Sequence, residues 1–194
     1  MSTAFTRRAF LAGSVAAPAA YLLVRPANAQ ETLQPTPACG DQPTVRQTEG
    51  PYFKPKSPLQ RDLVPAGAGG PTLALWGLVV GLDCRPVAGA LVDLWHADDT
   101  GAYDNVGYRC RGHQFTDERG RYLFRTVVPG LYPGRTRHYH VKVQAPGGPV
   151  LTTQLYFPGE RQNAADWIFD PSLVLTLGDD ATGRTGRFDF AIAT

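Results

Sequence analysis

The chain has 194 residues, with 19 Lys and Arg against 17 Asp and Glu and a formal net charge of +2. This near balance gives no strongly basic surface, so nucleic acid is not expected as a partner. A chain of this length has room for one domain with a substantial hydrophobic core and is short for two.

The first element along the chain is a targeting segment, which we predict over residues 1–29. Arg7-Arg8 precedes an apolar stretch of small residues, and Ala27-Asn28-Ala29 has the form of a cleavage site. Paired arginines followed by Phe-Leu are typical of a twin-arginine export signal. The apolar stretch is short for a membrane span and contains Pro18. We therefore expect an exported protein, periplasmic or extracellular, without a stable membrane span once the signal is removed.

The chain contains three cysteines, Cys39, Cys84 and Cys110. An oxidising compartment permits a disulfide, and an odd number leaves one thiol over. We expect Cys39 to pair with Cys84, because that bridge would tie the N-terminal region to the core. The cysteines lack the close spacing of a zinc site.

Residues 30–70 are rich in Pro, Gly and Gln, without a sustained period, and predict an extended N-terminal arm. Residues 71–194 instead show short segments rich in β-branched and aromatic residues, separated by turn residues. The only helix signal is weak and lies near Ala164–Trp167. This pattern predicts an all-β domain, a β-sandwich with long loops. The predicted strands are Leu73–Gly81, Ala90–Trp95, Arg121–Val127, His138–Gln144, Leu151–Phe157 and Phe188–Ile192.

The strongest local signal for chemistry is His138-Tyr139-His140 in a predicted strand. Side chains at positions i and i+2 of a strand lie on one face, roughly 6–7 Å apart, so both imidazoles can reach one ion. The other two histidines lack this arrangement. We place His96 near the rim of the domain and His113 in a connection, and expect neither to be a metal ligand.

Two tyrosines in predicted turns are candidate oxygen ligands. Tyr132 lies within Pro129–Gly134, and Tyr103 within Thr100–Asp104. A phenolate is a hard anionic donor that suits Fe(III) better than Zn(II) or Cu(I). The residues alone leave open that each tyrosine only packs over the end of a strand. They also leave open a transthyretin-like, non-catalytic binding module, because its strands and turns would show a similar sequence frame.

The segment from Gly77 to Tyr156 resembles the catalytic core of the intradiol ring-cleavage dioxygenases, the superfamily of catechol, hydroxyquinol and protocatechuate dioxygenases. The matching motifs are V-x-G-A-x-V-D-L-W-H-A-D-x-x-G-x-Y-D at Val87–Asp104, R-G-H-Q-x-T-D-E-x-G-R-Y-x-F-R-T-V-x-P-G-x-Y-P at Arg111–Pro133, R-x-x-H-x-H at Arg135–His140, T-Q-L-Y-F at Thr153–Phe157 and T-E-G-P-Y at Thr48–Tyr52. Each motif is weak alone, but their combination is highly specific.

This resemblance implies one Fe(III) per chain, bound by Tyr103, Tyr132, His138 and His140 together with a solvent hydroxide. Tyr132 matches the axial tyrosinate that leaves the metal when substrate arrives, and Tyr103 matches the tyrosinate that stays.

The resemblance also implies the remaining site residues and the reaction. Arg135 and Gln154 match the arginine and the glutamine beside the substrate. The implied reaction opens the ring of a catechol-type substrate with O₂ and gives a muconate-type diacid. An iron- or catecholate-binding protein without turnover is a further alternative.

The sequence also departs from the pattern of the superfamily. Gly134 stands where protocatechuate enzymes carry a tryptophan, and Thr136-Arg137 replaces their Pro-Ala. These changes imply a more open, more polar pocket and argue against protocatechuate itself. The helical dimerisation region of the longer catechol enzymes has no counterpart here, so the resemblance leaves the oligomeric state open.

Overall fold

The computed structural model describes residues 42–181 and 183–194. The predicted signal segment and Cys39 lie outside these residues, so export and the Cys39–Cys84 pairing stay predictions. No helix among the described residues is long and apolar enough to cross a membrane.

The described residues form nine strands and two short 3₁₀ helices, which confirms the predicted all-β class. The 3₁₀ helices span Arg161–Ala164 and Pro171–Leu173. The strands are β1 (Thr72–Gly81), β2 (Leu91–Trp95), β3 (Arg111–Phe115), β4 (Arg121–Val127), β5 (His138–Gln144), β6 (Leu151–Tyr156), β7 (Thr176–Asp180), β8 (Gly183–Arg187) and β9 (Phe190–Ile192).

The strands build two sheets that pack face to face. One sheet has the order β4-β1-β8-β7, with β9 pairing to the C-terminal part of β1. The other has the order β3-β2-β5-β6, and all of its neighbouring strands are antiparallel. Apolar side chains from both sheets form one buried cluster, which includes Leu75, Phe124, Leu94 and Val141. This is the β-sandwich that the short-strand pattern predicts.

Strand β5 carries the predicted H-x-H motif and shows why its two histidines point away from the core. Tyr139, Val141 and Val143 face the apolar cluster between the sheets. Because side chains alternate along a strand, His138 and His140 lie on the opposite face. They are nevertheless only 4% and 3% exposed, so a second layer of chain must cover them.

That second layer is the described part of the predicted arm, residues 42–70. Its backbone N–H groups at Thr44 and Leu63 donate to Ala191 and Arg125 of one sheet, at 2.8 Å each. Gln47 donates in the same way to Thr152 of the other sheet, at 2.8 Å. The arm thus has contacts with both sheets.

The strand predictions fail where the sequence lacks an apolar period. β3, β7 and β8 were not predicted, because their sequences are rich in Gly, Arg, Asp and Thr. All five residues of β7 are exposed, as expected for a strand at a sheet edge. The weak helix signal near Ala164–Trp167 corresponds to the single 3₁₀ turn Arg161–Ala164, shifted towards the N-terminus.

Candidate metal centre

The four predicted ligands come together on the face of β5 that the arm covers. The Nε2 atoms of His138 and His140 are 3.1 Å apart. The ring centroid of Tyr103 lies 5.9 Å from that of Tyr132 and 6.2 Å from that of His140. Residues up to 37 positions apart in the sequence thus share one cluster, and each contributes a nitrogen or oxygen donor.

His138 presents the form that a metal ion requires. His138 Nδ1 lies 2.6 Å from the carbonyl oxygen of Thr136 and donates to it, which leaves the lone pair on Nε2. Burial lowers the pKa of His138 to about 4. Burial is the main cause that lowers the pKa of His140 well below its usual range, and the charge of a protonated His138 would lower it further. Both rings are therefore neutral near pH 7, and neutral imidazole is the metal-binding form.

A cation fits between these two nitrogens. Two ligand nitrogens that each lie about 2 Å from one ion are roughly 3.0–3.4 Å apart, depending on the angle between the two bonds. The observed separation of 3.1 Å lies in this range. The ring of His140 also stacks on Trp95, with centroids 5.0 Å apart and planes within 6°. This stacking fixes the direction in which His140 Nε2 points.

Two carboxylates hold the turn that carries Tyr103. Asp98 Oδ1 accepts from two backbone N–H groups on the N-terminal side of the turn, at 3.0 Å each. On the C-terminal side, hydrogen bonds from the backbone N–H groups of Arg109 and Gly107 lower the pKa of Asp104 to about 2. Asp104 therefore stays ionised and keeps these bonds near neutral pH. Tyr103 is presented from a rigid turn.

Arg111 also stabilises the turn that carries Tyr103. Its side chain donates from Nε and Nη2 to the carbonyl oxygen of Asp104, at 3.2 and 3.1 Å. The residue is 1% exposed, so its charge acts in a poorly solvated environment. Burial raises the pKa of Tyr103 above its usual range, while Arg135 and Arg111 act in the opposite direction. A bound cation would add to these charges and favour the phenolate.

Two glycines let the turns that carry Tyr103 and Tyr132 pack against each other. The backbone N–H of Gly130 donates to the carbonyl of Asp98 at 2.7 Å. A Cβ at Gly130 would lie 2.3 Å from the nitrogen of Gly101, and one at Gly101 would lie 2.2 Å from the oxygen of Leu131. No side chain fits at either position while the two turns stay in contact.

Gly130→Ala is therefore expected to separate the two turns. Overpacking of this kind costs roughly 1–3 kcal/mol of folding free energy. Here it would also displace Tyr103 and Tyr132 relative to each other, because they lie on the two turns. We expect a lower melting temperature and less than one iron per chain after loading. Gly69→Ala is the control, because its Cβ would meet nothing closer than 3.9 Å. Full iron loading of Gly130→Ala would contradict this account of the junction.

Tyr132 is held less firmly than Tyr103. Its neighbours Leu131, Pro133 and Gly134 are exposed. Its hydroxyl lies 3.2 Å from the hydroxyl of Tyr52 in the arm. This hydrogen bond is the main cause that raises the pKa of Tyr132. The contrast between a rigid and a loosely held tyrosine fits the two different roles expected of them.

Tyr52 is a site residue to which the sequence analysis gave no role. Its ring stacks on Tyr103, with centroids 4.3 Å apart and planes within 14°. It thus contacts both tyrosines at once. The signal was present in the T-E-G-P-Y segment, but a motif cannot say which of its side chains faces the cluster.

Arg135 and Gln154, predicted beside the substrate, are hydrogen-bonded to each other. Arg135 Nη2 donates to Gln154 Oε1 at 2.6 Å. Gln154 is the cross-strand neighbour of His140 and donates from Nε2 to the carbonyl of Thr48 at 3.0 Å. Arg135 Nε also donates to Asp166 Oδ2 at 2.9 Å. Asp166 carries no local sequence signal, and the sequence analysis missed it.

A cleft of about 420 Å³ opens beside Tyr132 and Arg135. Its volume exceeds what a single aromatic ring needs. The loop around Gly134 and residues near Asp166 both line it, and the space at Gly134 itself is open. The lining residues are Leu131, Tyr132, Pro133, Gly134, Arg135, Thr136, Gln162, Ala165 and Asp166.

The remaining histidines lie elsewhere, and their predicted positions were wrong. His96 is 1% exposed rather than at the rim, and its nitrogens contact Ala97 O and Thr126 Oγ1 at 2.7 Å each. His113 is part of β3 and lies 3.1 Å from Ser57 Oγ. Within residues 42–181 and 183–194, no group of three or more His, Cys, Asp and Glu could hold a metal ion. The predicted site combines two histidines with two tyrosines, so it contains only two residues of these four types.

Comparison with known proteins gives the family. Residues 48–192 match the family model described as Dioxygenase. The 6-chlorohydroxyquinol 1,2-dioxygenase of Cupriavidus pinatubonensis is 35% identical over 150 residues, which cover 64% of this chain and 54% of that protein. The chain spans about half the length of the curated relatives that it matches first.

Solved structures agree with this assignment. One is the dioxygenase domain of a novel dioxygenase carbohydrate-binding protein fusion from the cellulolytic bacterium Streptomyces sp. SirexAA-E. It is 54% identical with a TM-score of 0.76, over 79% of this chain and 99% of that one. The 3-chlorocatechol 1,2-dioxygenase of Rhodococcus opacus 1CP is 28% identical with a TM-score of 0.73, over 78% and 73%. The chain belongs to the intradiol ring-cleavage dioxygenase superfamily.

Proposed function

We propose that this protein is an Fe(III)-dependent intradiol dioxygenase that opens the ring of a catechol-type substrate with O₂ and releases a muconate-type diacid. The observation that carries the proposal is the 3.1 Å approach of two neutral imidazole nitrogens beside Tyr103 and Tyr132. A transthyretin-like binding module has no need of this cluster, and family membership also favours the enzyme.

In this proposal Tyr103, Tyr132, His138 and His140 hold one Fe(III). Two phenolates offset most of the ferric charge, and two imidazoles complete a mixed set of oxygen and nitrogen donors suited to a hard ion. When bound, the iron supplies Lewis acidity to the two oxygens of the substrate and the redox capacity for reaction with O₂.

Tyr132 is proposed to take a proton from a catechol hydroxyl. A phenolate oxygen in an exposed loop can turn away from its position and become a phenol, and Tyr52 at 3.2 Å offers it a hydrogen-bond partner. Tyr103 keeps its position because its turn is held on both sides by Asp98 and Asp104.

Arg135 is proposed to stabilise negative charge that develops on the substrate. Its guanidinium is always cationic and lines the cleft next to Tyr132. Fixed positive groups of this kind act on charge that appears in the transition state. Gln154 holds one edge of the guanidinium at 2.6 Å and so helps to direct it.

The proposed substrate is an aromatic ring with two adjacent hydroxyl groups. The matched relatives are named as dioxygenases of 6-chlorohydroxyquinol, catechol and 3-chlorocatechol, which share this feature. The open wall at Gly134 supports a catechol with further substituents. We also propose that the protein works outside the cytoplasm, on the strength of the predicted signal segment.

The decisive experiment combines spectroscopy with turnover. Iron-loaded protein is expected to be coloured, because phenolate-to-Fe(III) charge transfer absorbs visible light, and to change colour when catechol is added. O₂ consumption, with the product identified by mass, should then be measured on catechol, hydroxyquinol, protocatechuate and alkylated catechols. Protein stripped of iron is the control. A colourless protein would favour the binding module, and colour without O₂ uptake would favour an iron- or catecholate-binding protein.

A further inference from the structure

Asp166 is a buried carboxylate whose partners all belong to the neighbourhood of the site. Its side chain is 1% exposed, a position where an unpaired carboxylate would be strongly unfavourable. Oδ2 accepts from Arg135 Nε and from the backbone N–H of Thr136, each at 2.9 Å, and Oδ1 accepts from the backbone N–H of Ile168 at 3.2 Å. The charge is thus compensated by one cation and two peptide groups.

The first consequence concerns the direction of the guanidinium. Asp166 holds Arg135 at Nε, while Gln154 holds Nη2 at 2.6 Å. Gln154 is itself fixed, because it donates to the carbonyl of Thr48 at 3.0 Å. A guanidinium fixed at two nitrogens cannot rotate about its long side chain. These two contacts restrict the guanidinium where Arg135 lines the cleft.

The second consequence concerns a histidine ligand. The backbone N–H of Thr136 donates to Asp166. The carbonyl oxygen of the same residue accepts from His138 Nδ1 at 2.6 Å. Thr136 Oγ1 also donates to Asn163 Oδ1 at 2.6 Å, so this residue is fixed on both sides. Asp166 therefore acts through Thr136 on the orientation of the His138 ring.

We propose that Asp166 is a positioning residue that orients the substrate arginine and the His138 ligand together. It lies 31 residues from Arg135 and 28 from His138 in sequence, and it ties the loop after the first 3₁₀ helix to the segment just before the strand that carries the H-x-H motif. The part that concerns turnover rests on the function proposed above. The part that concerns the metal rests only on the iron binding in that proposal, and metal affinity is measured without substrate.

The test uses the full chain with Asp166→Asn, which keeps an acceptor oxygen without the charge, and Asp166→Ala, which removes both. Loss of a partner behind a metal ligand typically costs 10–100-fold in metal affinity or activity. We expect iron affinity, from competition with a chelator, to fall roughly 10–100-fold in Asp166→Ala and less in Asp166→Asn. We expect kcat on catechol to fall more than KM changes in both variants.

Asp189→Asn is the matched control. This carboxylate also accepts from an arginine, Arg187 Nη2 at 2.7 Å, and from a backbone N–H, that of Leu78 at 2.8 Å. It lies between β8 and β9, and its hydrogen bonds join it to Leu78 and Arg187, which are not site residues. Asp189→Asn should therefore lower the melting temperature without changing iron affinity or kcat.

A double-variant cycle separates positioning from a merely structural role. If Asp166 acts through Arg135, Asp166→Asn should lower kcat far less in an Arg135→Ala background than in the wild type. Additive losses, or variants that lose only thermal stability while folded protein keeps its iron affinity and kcat, would overturn the proposal. Should the wild type bind iron but consume no O₂ with any catechol, the proposed reaction fails, and iron affinity still decides the role of Asp166. A wild type that binds no iron overturns both the proposed function and the metal part of this inference.

Discussion

Iron-free protein is the expected result of His140→Ala. The substitution removes one of two imidazole nitrogens that approach to 3.1 Å, and alanine has no donor atom to replace it. Loss of a residue that hydrogen-bonds a metal ligand typically lowers metal affinity roughly 10–100-fold. Loss of the ligand itself should therefore lower iron affinity by more than about 100-fold. Activity should fall with iron content. The measurements are iron per chain and the visible charge-transfer band.

Two further variants separate the metal from the packing. His140→Phe keeps an aromatic ring to stack on Trp95 but has no nitrogen, so it should fold and still lack iron. His113→Ala removes a histidine of β3, which β2 separates from β5, and the His113 side chain contacts Ser57 and Phe115 rather than the predicted ligands. This variant should keep its iron. If His140→Phe is as coloured and active as the wild type, His140 is not a ligand.

Tyr132→Phe is expected to keep iron but to turn over more slowly by roughly 10²–10⁴-fold, the contribution usual for a positioned proton acceptor. The remaining three ligands are held by strand β5 and by the rigid Tyr103 turn, so metal should remain. The charge-transfer band should shift, because one of two phenolates is lost. Stopped-flow mixing with catechol under argon measures the proton-transfer step directly.

Tyr108→Phe serves as the control for Tyr132→Phe. Like Tyr132, Tyr108 forms a hydrogen bond to the arm through its hydroxyl, which donates to the carbonyl oxygen of Pro55 at 3.1 Å, but it lies outside the cluster of ligands. Its removal should leave both spectrum and rate unchanged. A Tyr132→Phe protein with the spectrum and rate of the wild type would show that Tyr132 is neither ligand nor base.

The sequence predicts the structure best where a chemical motif and an alternation of apolar residues fall in the same strand. In β5 the apolar alternation of Tyr139, Val141 and Val143 assigns the core face, and the same alternation puts His138 and His140 together on the other face. The bounds of β4 and β5 were predicted without error for the same reason. The two tyrosines were found through their unusual place in turns and through the family motifs.

Other parts could not be read from the sequence, because long-range contacts decide them. β8 holds its place by parallel pairing with β1, a contact that spans more than 100 residues and leaves no local pattern. His96 looked like a rim residue because it follows a strand, yet Thr126 on the other sheet buries it. Asp166 follows a 3₁₀ turn without any motif, and its importance appears only when Arg135 lies beside it.

The position of the arm over β5 and β6 has a consequence for the order of assembly. Thr48 contacts Gln154 across 106 positions, and Val45 contacts Thr153 across 108. Such high contact order places these contacts among the slow, late ones in folding, after the loops between them have closed. The proposed metal pocket is therefore completed only after the chain has been synthesised and folded at least as far as Gln154, and a nascent or truncated chain that lacks either end of these pairs should not retain a metal.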